Sequence, residues 1–369
     1  MSRAHRAPVE GVPDAGRDPR TSPAHRAPRR RITRRHLLGI AAAAAAVPVA
    51  TVGLQQVRTK DTPAEATTSP GRPGVKPSAA APPTVVTRGG GTVPFRSGKA
   101  MLGAYLDLSG RTAAQAQALR RQQTGRDERI VHVFYDWGDL LPRTIAGLPE
   151  HAFPMVSWRG TRYTDITSGS ADDLIARAAR RLKAQGRPLL LRWAWEMNGD
   201  WYGWGAARNG KDPAGFIASW KRLRGIFADE GATNVSWVWG PNWNSSPVAD
   251  WNTYAALYPG DKYVDWVGVS GYNLHHETPE TLFGPIYRSY AARKPILISE
   301  VGAVDRGGRT KADWITLFAK WVEAHPAVGG VVWFDTDTHP GFTEKWRIDT
   351  GPESLAAYVA MAKSPRFSG

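Results

Sequence analysis

The chain has 369 residues, is 42% hydrophobic and 22% charged, and carries a formal net charge of +15. It has no cysteine, which excludes disulfides, thiolate metal sites, a cysteine nucleophile and a lipid-modified cysteine. The positive excess is uneven: residues 1–95 carry 15 basic against 5 acidic side chains, and residues 96–369 carry 33 against 28. The larger part is therefore close to balanced, which argues against nucleic-acid binding by the folded region.

The first 54 residues read as an address. A basic run meets an uncharged apolar stretch from Leu37 to Leu54, the layout of an export signal. The segment Thr33-Arg34-Arg35-His36-Leu37-Leu38 resembles a bacterial twin-arginine signal. No clean Ala-x-Ala site follows, so cleavage and retention as an N-terminal anchor both stay open, and any membrane contact is expected only through that anchor. Residues 55–95 are rich in Pro, Thr, Ala and Gly and read as an extended or flexible linker. All 16 tryptophans fall at position 137 or later, which places the start of the folded domain near Arg96.

From Arg96 to Gly369 apolar strand-like runs recur at 101–108, 130–137, 152–158, 188–196, 234–243, 264–272, 295–302 and 329–335. Helix-like stretches separate them. The clearest are 170–186 and 212–231, with apolar residues at helical spacing and a glycine at the end. Eight strands alternating with helices predict a (β/α)8 TIM barrel, with two halves of a doubly wound sheet as the other arrangement that fits.

In such a barrel the chemistry lies at the C-terminal ends of the strands. Two glutamates fall there: Glu196 ends the fourth run, inside LRWAWEMNGDWYGW, and Glu300 ends the seventh, in KPILISEVGA. Alternation puts Arg192, Ala194 and Glu196 on one face, and Ile296, Ile298 and Glu300 on one face. If both faces point inward, two carboxylates meet at the mouth. The same parity turns Trp193 and Trp195 toward the helices. Glycoside cleavage needs such a pair, one acid to protonate the leaving oxygen and one carboxylate to attack carbon or activate water. Indole rings nearby suit the C–H faces of sugars. Arg192, four residues before Glu196, is expected either to keep a nearby carboxylate ionised or to serve as a buried structural arginine. His132, Trp137, Asn198 and Asn242 also fall at strand ends, with Asn198 expected in the cleft and His132 either on sugar or in the core.

The segments RWAWEMNGDWYGWG, NVSWVWGPN, YVDWVGVSGYN, KPILISEVGA and GGVVWFD, in that order, resemble glycoside hydrolase family 26. The resemblance implies a barrel that cleaves β-linked polysaccharide with retention of configuration and without a metal or organic cofactor. Its members include endo-β-1,4-mannanases, β-1,3-1,4-glucanases and β-1,3-xylanases. By motif, Glu196 matches the acid/base, Glu300 the nucleophile and Tyr272 a tyrosine that bonds the nucleophile. Trp201 and Trp333 match aromatic walls near the cleaved bond. One position departs: the family usually has histidine before the acid, in contact with the sugar, and this chain has Trp195. Indole offers one donor and no acceptor. A monomeric, exported endo-β-glycanase is thus expected, with β-1,4-mannan first and mixed-linkage β-glucan next. A carbohydrate-binding protein without turnover is the reading from another class, and a transglycosylase would use the same two glutamates.

Overall fold

A computed structural model describes residues 84–338 and 343–369. The signal-like segment and most of the linker lie outside the described residues. Eight parallel strands form a closed barrel in the order β8-β1-β2-β3-β4-β5-β6-β7. They are β1 Met101–Leu106, β2 Ile130–Tyr135, β3 Phe153–Trp158, β4 Leu189–Trp193, β5 Val235–Trp239, β6 Trp266–Asn273, β7 Ile296–Ala303 and β8 Val328–Asp335. The doubly wound alternative is thereby excluded. The helices between them are α1 Ala113–Thr124, α2 Tyr163–Thr167, α3 Asp172–Lys183, α4 Pro213–Asp229, α5 Tyr254–Leu257, α6 Pro279–Tyr290, α7 Thr310–Ala324 and α8 Pro352–Lys363. Local signals set their ends. Thr112 and Gln115 close a reciprocal cap on α1, and Asp212 caps α4 ahead of Pro213.

Two apolar layers result. Met101, Ile130, Met155, Leu190, Val238, Trp266, Leu297 and Val332 fill the lower barrel interior. Val156, Trp158, Leu191, Trp193, Trp239, Ile298, Val331 and Trp333 belong to the outer layer packed beneath the helices. Each fully buried side chain of this size contributes roughly 1.5–3 kcal/mol by leaving water, so the barrel is held from both sides of its wall.

The packed chain begins ahead of Arg96. Val93 and Phe95 are buried in the lower interior cluster, and the Phe95 ring meets Trp266 edge-on at 5.9 Å. Backbone atoms of this segment are bonded to the barrel as well: the Trp266 indole donates to the Gly90 carbonyl at 2.8 Å, and Val86 N–H donates to Ala291 O at 2.7 Å. Residues 84–95 are therefore not a free linker; they close the end of the barrel opposite the mouth.

Strict alternation fails along β7. Leu297 points into the barrel, and Ile296 and Ile298 point out. The pairing with β6 then slips by one residue: Val269 lies opposite Ile298, and Ser270 lies opposite Glu300. The extra residue, Ser299, is a β-bulge, and it returns Glu300 to the inner face. Glu300 reaches the mouth, but it does not share a face with Ile296 and Ile298.

Candidate active site

β4 ends at Trp193, and the chain beyond it leaves the strand conformation. Ala194 and Glu196 have φ of 47° and 55°, in the left-handed region that costs a residue with a Cβ about 1–3 kcal/mol. This double turn sets two side chains. It aims Glu196 across the mouth, where the Glu196 N–H is anchored on Gly240 O at 2.8 Å. It also swings Trp195 away from the helices. The Trp195 ring lies 5.2 Å from Phe134 and 4.9 Å from Trp204, with the Arg192 guanidinium 5.7 Å above it. Trp195 thus lines the mouth, contrary to simple parity, while Trp193 packs outward on Phe216 and Trp220.

Arg192, fully buried, points into the barrel and forms an ion pair with Glu300 through Nη1. Its Nη2 donates to Ser270 Oγ at 2.5 Å. Gly240 makes room for it: a Cβ there would stand 2.8 Å from Arg192 Nε. The second oxygen of Glu300 accepts from the Tyr272 hydroxyl at 2.5 Å. Burial, and then the charges of Glu300 and Glu196, push the Tyr272 phenol well above its ordinary value, so it stays a donor.

Glu196 has different company. Its Oε2 accepts from the Trp201 indole at 2.9 Å. Burial and the negative charge of Glu300 raise its carboxyl to about 7, against the opposing pull of Arg192, Trp201 and Ser270. The two carboxylates, only 7% and 5% exposed, therefore share Arg192 and Ser270 as neighbours, but only Glu300 holds the cation. Glu196 is thus arranged to hold a proton near neutrality, while Glu300 sits against the Arg192 guanidinium.

Other expected residues take different places. His132 lies buried below Arg192, with Nε2 2.7 Å from Ser157 Oγ. Burial and then Arg192 hold it well below its usual value, so it is neutral. Asn198 is fully buried and bonds backbone: its Nδ2 donates to Asn242 O at 3.0 Å and its Oδ1 accepts from Asn242 N–H at 2.8 Å. Asn198 and Asn242 clasp the loops after β4 and β5 together, where a cleft residue was expected. Trp137 stacks at 4.5 Å on Trp158, which belongs to the outer layer. Trp333 is corrected: it is fully buried among Trp314 and Tyr358 beneath α7 and α8 and is no wall of the mouth. Its neighbour Phe334 faces inward, 5.0 Å from Tyr105 and 5.8 Å from Tyr272. Trp346, from the loop after β8, lies 5.0 Å from the Tyr272 ring. Ser270, Phe334 and Trp346 were missed. Ser270 shares strand parity with Tyr272 and was legible; Trp346 stands in a loop and gave no periodic signal.

The fold is a (β/α)8 barrel of the glycosyl hydrolase class. The chain belongs to glycosyl hydrolase family 26, whose model matches residues 158–348. It is 34% identical to endoglucanase H of Acetivibrio thermocellus over 252 residues, 63% of this chain and 27% of that one. It is 31% identical to mannan endo-1,4-beta-mannosidase A and B of Caldalkalibacillus mannanilyticus over 148 residues, 39% of this chain and 26% of that one. The matched regions thus span about a quarter of the length of these curated relatives. In fold it resembles the structure of a family 26 β-mannanase from Bacteroides ovatus. There the TM-score is 0.53 and the identity 17%, over 73% of this chain and 89% of that chain.

Proposed function

We propose that this chain is an exported, retaining endo-β-glycanase. The Glu300 carboxylate attacks the anomeric carbon while Glu196 gives its proton to the departing glycosidic oxygen. The shortened chain leaves, and a glycosyl–Glu300 ester remains. Glu196, now ionised, takes a proton from water; the hydroxide adds to the anomeric carbon and Glu300 departs as carboxylate. Each step balances, and the acid is ready for the next cycle.

One observation carries this reading: two buried carboxylates with unlike surroundings at a shared mouth. Glu300 is paired with Arg192 and Tyr272, while Glu196 is lifted to about 7 by burial and by Glu300. The substrate read first is β-1,4-mannan, as named for the Caldalkalibacillus relative. A second reading, mixed-linkage β-glucan, is favoured by the longer match to an endoglucanase and by Trp195. The Trp195 ring packs edge-on against Tyr202, 5.6 Å away.

The test is reducing-end release from galactomannan, mixed-linkage β-glucan and β-1,3-xylan, with Glu300→Ala as control. Release from one polymer, absent in the variant, fixes both activity and substrate. A folded chain that releases nothing from any of them supports a binding protein instead. Export is tested by fractionation, with culture fluid or cell envelope expected and cytoplasm overturning it.

A further inference from the structure

On the segment that follows Glu300, at the start of α7, stands a buried lysine that the reaction above does not use. Lys311 is 1% exposed. Burial lowers its ammonium to about 8, and Asp305, Asp335, Asp337 and Asp349 partly offset that, so it is charged at neutral pH. Its Nζ donates to two backbone carbonyls, Lys345 O at 3.2 Å and Arg347 O at 2.5 Å. These flank a single residue, Trp346.

Trp346 is gripped from other directions too. Its N–H donates to Thr336 O at 3.0 Å, and its carbonyl accepts from the Trp333 indole at 2.9 Å. The next residues are tied down at Ile348 N–H, which donates to Asp335 Oδ1 at 2.8 Å. The outward-facing Trp333 therefore serves the mouth from behind, by holding this loop.

The Trp346 ring packs 5.0 Å from Tyr272, at 59° to it. Both rings crowd Gly302, two residues beyond Glu300: a Cβ there would stand 2.9 Å from Trp346 Cε3 and 3.2 Å from Tyr272 Cδ1. Tyr272 in turn donates to Glu300. A continuous line of contacts runs from Lys311 through Trp346 and Tyr272 to the nucleophile.

We infer that Lys311 is a positioning residue for Glu300, acting by clamping Trp346 against Tyr272. A shift of about 1 Å relayed to a reacting group can cost roughly 100-fold in rate, so a remote donor can matter here.

The inference rests on the proposed hydrolase activity, and the assay separates the two. A dinitrophenyl β-mannobioside or β-cellobioside needs no proton on its leaving group, so single-turnover release of dinitrophenolate reads attack by Glu300 alone. Saturation then gives the rate constant apart from binding. Lys311→Met is expected to lower the rate constant about tenfold or more with binding changed less, and Lys311→Arg to recover part of it. In a Tyr272→Phe background Lys311→Met is expected to cost under about twofold, because the line is already cut. Equal loss in both backgrounds, or no loss in either, overturns the inference. Should Lys311→Met fail to fold, Trp346→Leu, which keeps the Lys311 bonds, is read the same way. A parent that releases no dinitrophenolate from either glycoside overturns the hydrolase reading itself.

Discussion

Arg192 and Glu300 form a buried ion pair that joins β4 to β7 at the mouth of the barrel. Arg192 lies four residues before one proposed catalytic carboxylate and bonds the other. This makes the two roles considered for it compatible: it is structural because it is buried, and electrostatic because of what it touches. Removing one partner from a buried pair commonly costs about 3–5 kcal/mol. Arg192→Met is expected to lose stability on that scale in chemical denaturation. The double variant Arg192→Met/Glu300→Gln, which removes both charges, is expected to recover a measurable part. Additive losses would contradict the coupling.

Gly240 tests the same pair through shape. The methyl of Gly240→Ala would press on Arg192 Nε at 2.8 Å. Overpacking of this kind costs about 1–3 kcal/mol. The expected result is a lower kcat accompanying a modest fall in Tm. An unchanged kcat would mean that Arg192 can move without disturbing Glu300.

The proposed acid has its own signature. With Glu196 at about 7, the alkaline limb of kcat/KM is expected near pH 7, because the protonated form is lost as pH rises through that value. Trp201 donates to the Glu196 carboxylate and so favours its ionised form. Trp201→Phe removes that donor, and the limb is expected to move to higher pH. A limb that stays, or moves down, would assign it to another group.

His132 links pH to stability. Its folded value lies well below the ordinary 6.5, so the unfolded chain binds the extra proton first. The stability tied to the neutral ring is full above about 6.5 and is lost as pH falls toward the folded value, by at most about 1.4 kcal/mol per pH unit. His132→Gln, which keeps a polar group beside Ser157, is expected to flatten the fall in stability below pH 6.5. An unaltered slope would sink this account.

The fold was legible because each strand carries a dense apolar run and because α3 and α4 show helical spacing with clear ends. Both glutamates were legible from position alone. Parity was less dependable, since it assumes an unbroken strand. At Ala194 and Glu196 the left-handed turns break it and send Trp195 to the mouth. At Ser299 a bulge breaks it, and Glu300 faces inward for a reason alternation does not contain. Trp333 was named by motif, and the structure puts its neighbour Phe334 on the inner face instead. Asn198 was placed in the cleft because it follows the acid, yet its bonding capacity is spent on the next loop. Lys311 and Trp346 belong to relations between distant segments, which no local pattern records. The linker boundary slipped because Val93 and Phe95 are isolated apolar residues among Pro and Gly, and their burial depends on the barrel they close.

The segment that closes the barrel also fixes where the chain enters it. Polypeptide arrives at Thr84 on the face where strands begin, and the carboxylates stand where strands end. The closing segment and the two carboxylates are therefore on opposite poles of the barrel. On the proposed reading, a long glycan lies across the open pole, away from Thr84.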